Sequence, residues 1–252
     1  SYYHKNALLI SDGYNDTPIP ALAEWLATDD FSTAALSATR VNDVHHTNWT
    51  RYLFWSKAGD GYFVVIDTVE AKQEGPYSYI CTWRTSGYAE LEGRFWWARQ
   101  GKHLFTLCAS RALPMTNEEQ GPSGASNPYV LRQRQEGAQA AGALASFQNL
   151  FHVSPQANPR ALDLRYLEPT QALVLEAGQA IAWCAVDPKR EGIWGAGLEM
   201  QATSAMVTPG EVFASGALRV NLTRSLSWRF ASDRPVGLHL DLTARRAIVQ
   251  AD

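Results

Sequence analysis

From Trp49 to Val69 the sequence runs in a two-residue period, and that period is compatible with β-sheet and with little else. In Trp49–Trp55, residues Trp49, Arg51, Leu53 and Trp55 fall on one side of an extended chain, and Thr50, Tyr52 and Phe54 on the other. Aromatics on both sides are expected for a strand covered on both faces, or covered on one face by a ligand. The turn signal Ala58-Gly59-Asp60-Gly61 follows, and then Tyr62–Val69, whose start is almost continuously apolar, as in a central strand.

The same pattern recurs along the chain. Short β-rich runs at Ala7–Ile10, Ala34–Val41, Ser78–Thr85, Arg94–Gln100 and Lys102–Ala109 are cut by Gly, Pro, Asn and Asp, and predict an antiparallel meander. Pro114–Pro128, with Gly121-Pro122 and Asn127-Pro128, predicts a long surface loop, and a second series of strands runs from Tyr129 to Gln250. About 18 strands at 8–12-residue spacing predict an all-β fold, a large antiparallel two-sheet β-sandwich of supersandwich type. We take residues 1–252 as one domain with the loop at 114–128 between its halves; separate domains on either side of the loop are the alternative. Helix is expected at most in Ala21–Ala27, after Pro20, and in the alanine-rich Ala138–Ala145.

Charge and cysteine content remove several functions. A net charge of −3 with dispersed basic residues argues against nucleic-acid binding. No run approaches the ~20 apolar residues of a membrane helix, so no membrane contact is expected. Cys81, Cys108 and Cys184 form no CxxC pattern and no full disulfide framework; a single Cys81–Cys108 bridge is left open. The chain opens on Ser1 rather than Met, as expected of a processed or excised product. No nucleophile elbow, phosphate loop or HExxH motif occurs.

Two stretches carry a family resemblance. Tyr3-His4-Lys5-Asn6-Ala7-Leu8-Leu9-Ile10-Ser11-Asp12-Gly13 resembles the start of the β-sandwich domain of heparinase II/III-like polysaccharide lyases. There, too, a histidine and an asparagine precede an apolar strand and an Asp-Gly turn. Trp49-Thr50-Arg51 followed by Tyr62-Phe63-Val64-Val65-Ile66-Asp67-Thr68-Val69 is similar to that family's arginine-bearing strand and the strand after it, so the resemblance covers about residues 3–110. It implies a sandwich that packs behind a helical toroid, a polysaccharide or oligosaccharide ligand, and elimination across uronic-acid glycosidic bonds by Tyr and His. It also implies a secreted or periplasmic bacterial protein. His4 matches the histidine that the sandwich contributes to the cleft, and is the candidate catalytic residue. No cofactor is implied beyond a structural divalent metal, and Lys5 stands where a metal-binding His would be expected.

The residues themselves point the same way. Nine Trp, ten Tyr and nine Phe are present, and Trp49, Trp55, Trp83, Trp96 and Trp97 crowd into one stretch. Indole faces stack on the apolar faces of sugar rings, and neighbouring polar groups bind hydroxyls. Trp96 and Trp97 face opposite ways, so at most one is a platform. The candidate carbohydrate contacts are Tyr14, His45, His46, Trp49 and Arg51. Adjacent histidines point to opposite sides of an extended chain, so His45-His46 is read as a polar loop rather than a metal site. Glu90 and Glu92 share a strand face, but their setting is a solvated edge. His103 is read as a surface residue and His239 as a satisfied, half-buried one. The reading that follows is a non-catalytic polysaccharide-binding or accessory sandwich. The alternatives are an active lyase using Arg51, Tyr52 and His46, and a purely structural or oligomerisation domain.

Overall fold

The computed structural model describes residues 8–11, 21–27, 31–38, 46–57, 59–119, 129–223 and 228–251. These form antiparallel sheets with no helix among the described residues. Strands are numbered in chain order. Sheet A has the order β1 (Leu8–Ser11), β6 (Gly75–Thr85), β11 (Tyr129–Gln139), β10 (Met115–Glu119). Sheet B runs β2 (Ala21–Ala27), β3 (Phe31–Ala38), β4 (Thr47–Ser56), β5 (Tyr62–Ala71), β12 (Leu144–Pro155), β9 (His103–Ala109), β8 (Phe95–Gln100), β7 (Tyr88–Glu92). Sheet C runs β13 (Leu162–Glu168), β14 (Gln171–Glu176), β15 (Gln179–Val186), β18 (Ser204–Val207), β19 (Glu211–Leu222), β17 (Leu198–Gln201), β16 (Ile193–Gly195). The remaining strands, β20 (Trp228–Asp241) and β21 (Arg246–Ala251), extend it from β19.

Sheet B is the middle layer, and its two-residue period decides what lies on each side. Trp49, Val65, Val69, Leu107 and Phe147 pack against Tyr79, Cys81 and Leu131 of sheet A. Tyr52, Phe54, Val64, Ile66 and Leu150 pack against Leu164, Val174 and Met206 of sheet C. The sandwich character expected from the sequence therefore holds, built from three layers instead of two. Sheet C has a further core on its other face, where Trp183, Ala205 and Val207 meet Leu198, Met200 and Val220. β19 makes this possible: β18 pairs with its first half and β17 with its second, and the register shifts around Gly216 bend it between them.

Several expectations are corrected. Ala21–Ala27 is the edge strand β2, paired with β3, so strand pairing outweighs its helix-forming residues. Ala138–Ala145 holds the end of β11, the start of β12 and the turn between them, closed by Ala143 N–H donating to the Ala140 carbonyl and turned by Gly142 at φ 79°. Met115–Glu119, expected as loop, is β10, and residues 120–128 lie outside the described residues. The meander is interrupted, because β6 leaves sheet B and β12 pairs with β5 in its place. Cys81 and Cys108 face different layers and are free thiols, as is Cys184. Burial raises the Cys81 thiol, with Asp67 adding to the rise, and pushes Cys108 up to about 12, so both behave as small apolar side chains.

The β4–β5 hairpin closes through a tight turn. Gly61 has φ 65°, and a Cβ there would sit 2.9 Å from the Ser56 carbonyl oxygen. Gly61→Ala is expected to lower stability by about 1–3 kcal/mol, read as a drop in the thermal midpoint.

Candidate carbohydrate-binding cleft

The hairpin sets its own cross-strand pairs. With Ser56 opposite Tyr62, Trp55 stands opposite Phe63 and Arg51 opposite Asp67. The first pair lies near the turn and is open to solvent. Trp55 is 40% exposed and Phe63 41%, with their rings stacked at 5.1 Å and 13°. Lys57 Nζ lies 5.1 Å from the Trp55 ring. Two apolar rings held flat in water, flanked by a cation, form a surface on which a sugar ring can stack while the cation meets an acidic substituent.

Behind Phe63, between sheets A and B, is a cavity of ≈ 430 Å³. Phe63, Phe105 and Phe151 line it from sheet B, Trp83 and Arg84 from β6, and Gln100 from β8. Trp83 meets Phe151 edge-on at 4.6 Å. Gln100 Nε2 donates to Thr85 Oγ1 at 3.1 Å and to Ser86 Oγ at 3.4 Å. Burial and the neighbouring Arg132 charge lower the Arg84 pKa. Arg132 is itself paired with the Glu118 carboxylate.

The second pair is inside. Asp67, fully buried, accepts from Arg51 Nε at 2.8 Å and Nη2 at 2.9 Å, and from Trp49 Nε1 at 2.8 Å. The Arg51 guanidinium lies 5.4 Å from the Trp49 ring and 4.9 Å from the Trp83 ring. Burial opposes its charge, but the Asp67 carboxylate more than offsets this, so the Arg51 pKa rises. Beside this set, Gln133 and Asn149 exchange two amide hydrogen bonds at 2.6 and 3.0 Å.

The sequence-nominated residues therefore fall in different places. Trp49 (2% exposed) and Arg51 (8%) are corrected from ligand contacts to interior groups, because Arg51 stands opposite the buried Asp67 carboxylate and the Trp49 indole N–H donates to the same group. They brace Trp83, which forms the cavity wall. Tyr52 faces sheet C, opposite to Arg51, so the arginine–tyrosine–histidine convergence considered for an independent lyase does not form. His46 precedes β4, and its carbonyl accepts from the Lys72 N–H and the Tyr77 hydroxyl. His4, Tyr14 and His45 lie outside the described residues. Among the described residues no group of three or more His, Cys, Asp or Glu could hold a metal ion.

Trp96 is buried and donates to Asn117 Oδ1, whereas Trp97 lies on the other face of β8. Glu90 lies 3.8 Å from Arg99 on the edge strand β7. His103 is exposed, and His239 is stacked on Phe213, 3.1 Å from Glu211. The Trp55–Phe63 pair was not singled out from the sequence. The signal was present, since a hairpin closed at residues 58–61 fixes which residues face each other.

This architecture defines the class: an antiparallel, multi-sheet β-sandwich with an aromatic cleft between two layers. Solved structures share the β-sandwich fold. Heparan sulfate lyase HepC from Pedobacter heparinus aligns with a TM-score of 0.51 and 9% identity, over 71% of this chain and 30% of that one. A heparinase III gene product aligns with a TM-score of 0.53 and 12% identity, over 69% of this chain and 28% of that one. The likeness is one of fold, and the chain spans about 30% of the length of these proteins. No family model matches the sequence, and no curated protein does.

Proposed function

We propose that this chain is a carbohydrate-associated β-sandwich, a non-catalytic polysaccharide-binding or accessory part of a polysaccharide lyase. The observation that carries the reading is the exposed Trp55–Phe63 stack at the mouth of an arginine-lined aromatic cavity, in a fold shared with heparan sulfate lyase HepC. Lys57 and Arg84 suit carboxylate or sulfate substituents, so the ligand is an acidic polysaccharide. In a longer protein a helical domain would supply most of the eliminating groups, with His4 as the sandwich's contribution, and the location would be secreted or periplasmic.

Two measurements test this. The chain alone, given a panel of uronic-acid polymers, should generate no unsaturated-product absorbance; rapid product formation would mean that it is a lyase by itself. In affinity gel electrophoresis on the same polymers, Trp55→Ala should weaken retention about tenfold, the loss of one stacking platform. Retention unchanged by Trp55→Ala would remove the cleft from the account.

A further inference from the structure

Trp194 is the other tryptophan that stands out into solvent among the described residues, 55% exposed. It sits in β16, on sheet C, and the chain around it is held from several sides. Gly192 has φ 111°, and a Cβ there would come within 2.7 Å of the indole, so the ring lies against bare backbone. Gln171 Nε2 donates to the Trp194 carbonyl at 3.2 Å, while Gln171 Oε1 accepts from Trp183 Nε1 at 3.0 Å. The Asp187 carboxylate accepts the N–H groups of Glu191 and Gly192 at 3.0 and 2.6 Å. From beneath, buried Gln148 donates to the carbonyls of Glu168, Pro169 and Gln171 at 2.7 to 3.3 Å.

These fixed segments enclose a polar cleft of ≈ 240 Å³. Trp194 forms one wall, and Glu168, Thr170, Glu191 and Lys189 contribute polar groups. Lys189 is already engaged, donating to the Gly142 carbonyl at 2.7 Å and lying 3.9 Å from Glu70. The remaining charges at the rim are carboxylates, opposite in sign to Lys57 and Arg84 at the sheet A–sheet B cleft. A preorganised indole beside hydroxyl and carboxylate acceptors, in a space the size of one sugar ring, matches a ring with an apolar face and hydroxyl donors. A carboxylated or sulfated ring would meet Glu168 and Glu191 in like-charge repulsion.

We propose that the Trp194 cleft is a second carbohydrate site, selective for an uncharged pyranose. It does not depend on the acidic-glycan reading of the Trp55 cleft. The test is an NMR titration of the intact chain, following the backbone N–H signals of Thr170, Glu191 and Gly192, with the Trp194 indole N–H, assigned through Trp194→Phe, as a further reporter in the proteins that keep it. Methyl glucopyranoside and methyl galactopyranoside are the neutral probes, and methyl glucuronide the charged one.

A saturable shift with at least one neutral glycoside is expected at millimolar concentration. Affinity should fall about tenfold or more in Trp194→Ala and stay unchanged in Trp55→Ala. Glucuronide should bind several-fold more weakly and recover in a Glu168→Gln/Glu191→Gln double variant. The exposed position of Trp194 leaves the fold intact in Trp194→Ala, which circular dichroism checks. No saturable shift up to about 50 mM, binding retained by Trp194→Ala, or glucuronide binding as tightly as the neutral probes would overturn the proposal.

Discussion

Replacing Asp67 with alanine should lower the unfolding free energy by about 3–5 kcal/mol, among the largest losses that one substitution can cause in this chain. Asp67 has no solvent-exposed surface and accepts four hydrogen bonds, two from a guanidinium that is itself buried, one from the Trp49 indole and a long one from the Cys81 thiol. Alanine removes the carboxylate that offsets the burial of Arg51, and leaves the Trp49 indole N–H without its acceptor. Asp67→Asn keeps one acceptor and should cost less. A double variant, Arg51→Met/Asp67→Leu, should recover most of the loss, because an apolar pair of similar volume avoids burying either charge. Urea denaturation of the four proteins checks the ordering. Equal stability of Asp67→Ala and wild type would mean that the buried pair does not stabilise the β4–β5 core.

Acidification should destabilise the chain before its paired carboxylates titrate. His152, on the sheet C side of β12, is pushed down from 6.5 to about 4, by burial first and by the Arg160 charge second, with Glu176 opposing. The folded state thus binds this proton less readily than the unfolded chain. The associated stability is complete above pH 6.5 and is lost as the pH falls towards 4, by about 3 kcal/mol in all. Glu118 and Glu176 are held below the ordinary carboxylate value of 4.5 by Arg132 and Arg160, so their losses come at lower pH. Between pH 6.5 and 4.5 His152 therefore contributes a loss of its own, ahead of these carboxylates. Denaturation midpoints measured across this range should fall steadily for the wild type and much less for His152→Gln; parallel slopes would contradict the assignment.

Much of the architecture was legible in the sequence, for a physical reason. Strands leave a two-residue alternation where the two faces differ and a continuous apolar run where both are buried, so β4, β5 and β9 were readable along their length. Layer membership leaves no such mark. β6 looks like another strand of the same meander, and only its long-range pairing with β1 and β11 places it in sheet A. Ala21–Ala27 misled because its alanines and leucines favour helix locally, and the pairing that overrules them comes from β3.

The site was half legible. Aromatic richness near residues 49–97 pointed to the right layer, but Trp49 and Arg51 were taken as contacts because a buried aspartate partner is invisible without register. The hairpin register, with 56 opposite 62, contains that partner and also the Trp55–Phe63 platform. Trp194 left no comparable signal: its exposure follows from how Gly192 and Gly195 turn the chain at the edge of sheet C.

NMR mapping with a uronic-acid oligosaccharide tests directly whether acidic glycan meets the chain at the Trp55–Phe63 face. The largest shifts should fall at Trp55, Lys57, Phe63 and Arg84, with little change at the buried Trp49 and Arg51. Shifts centred elsewhere, or none at saturating oligosaccharide, would contradict that contact.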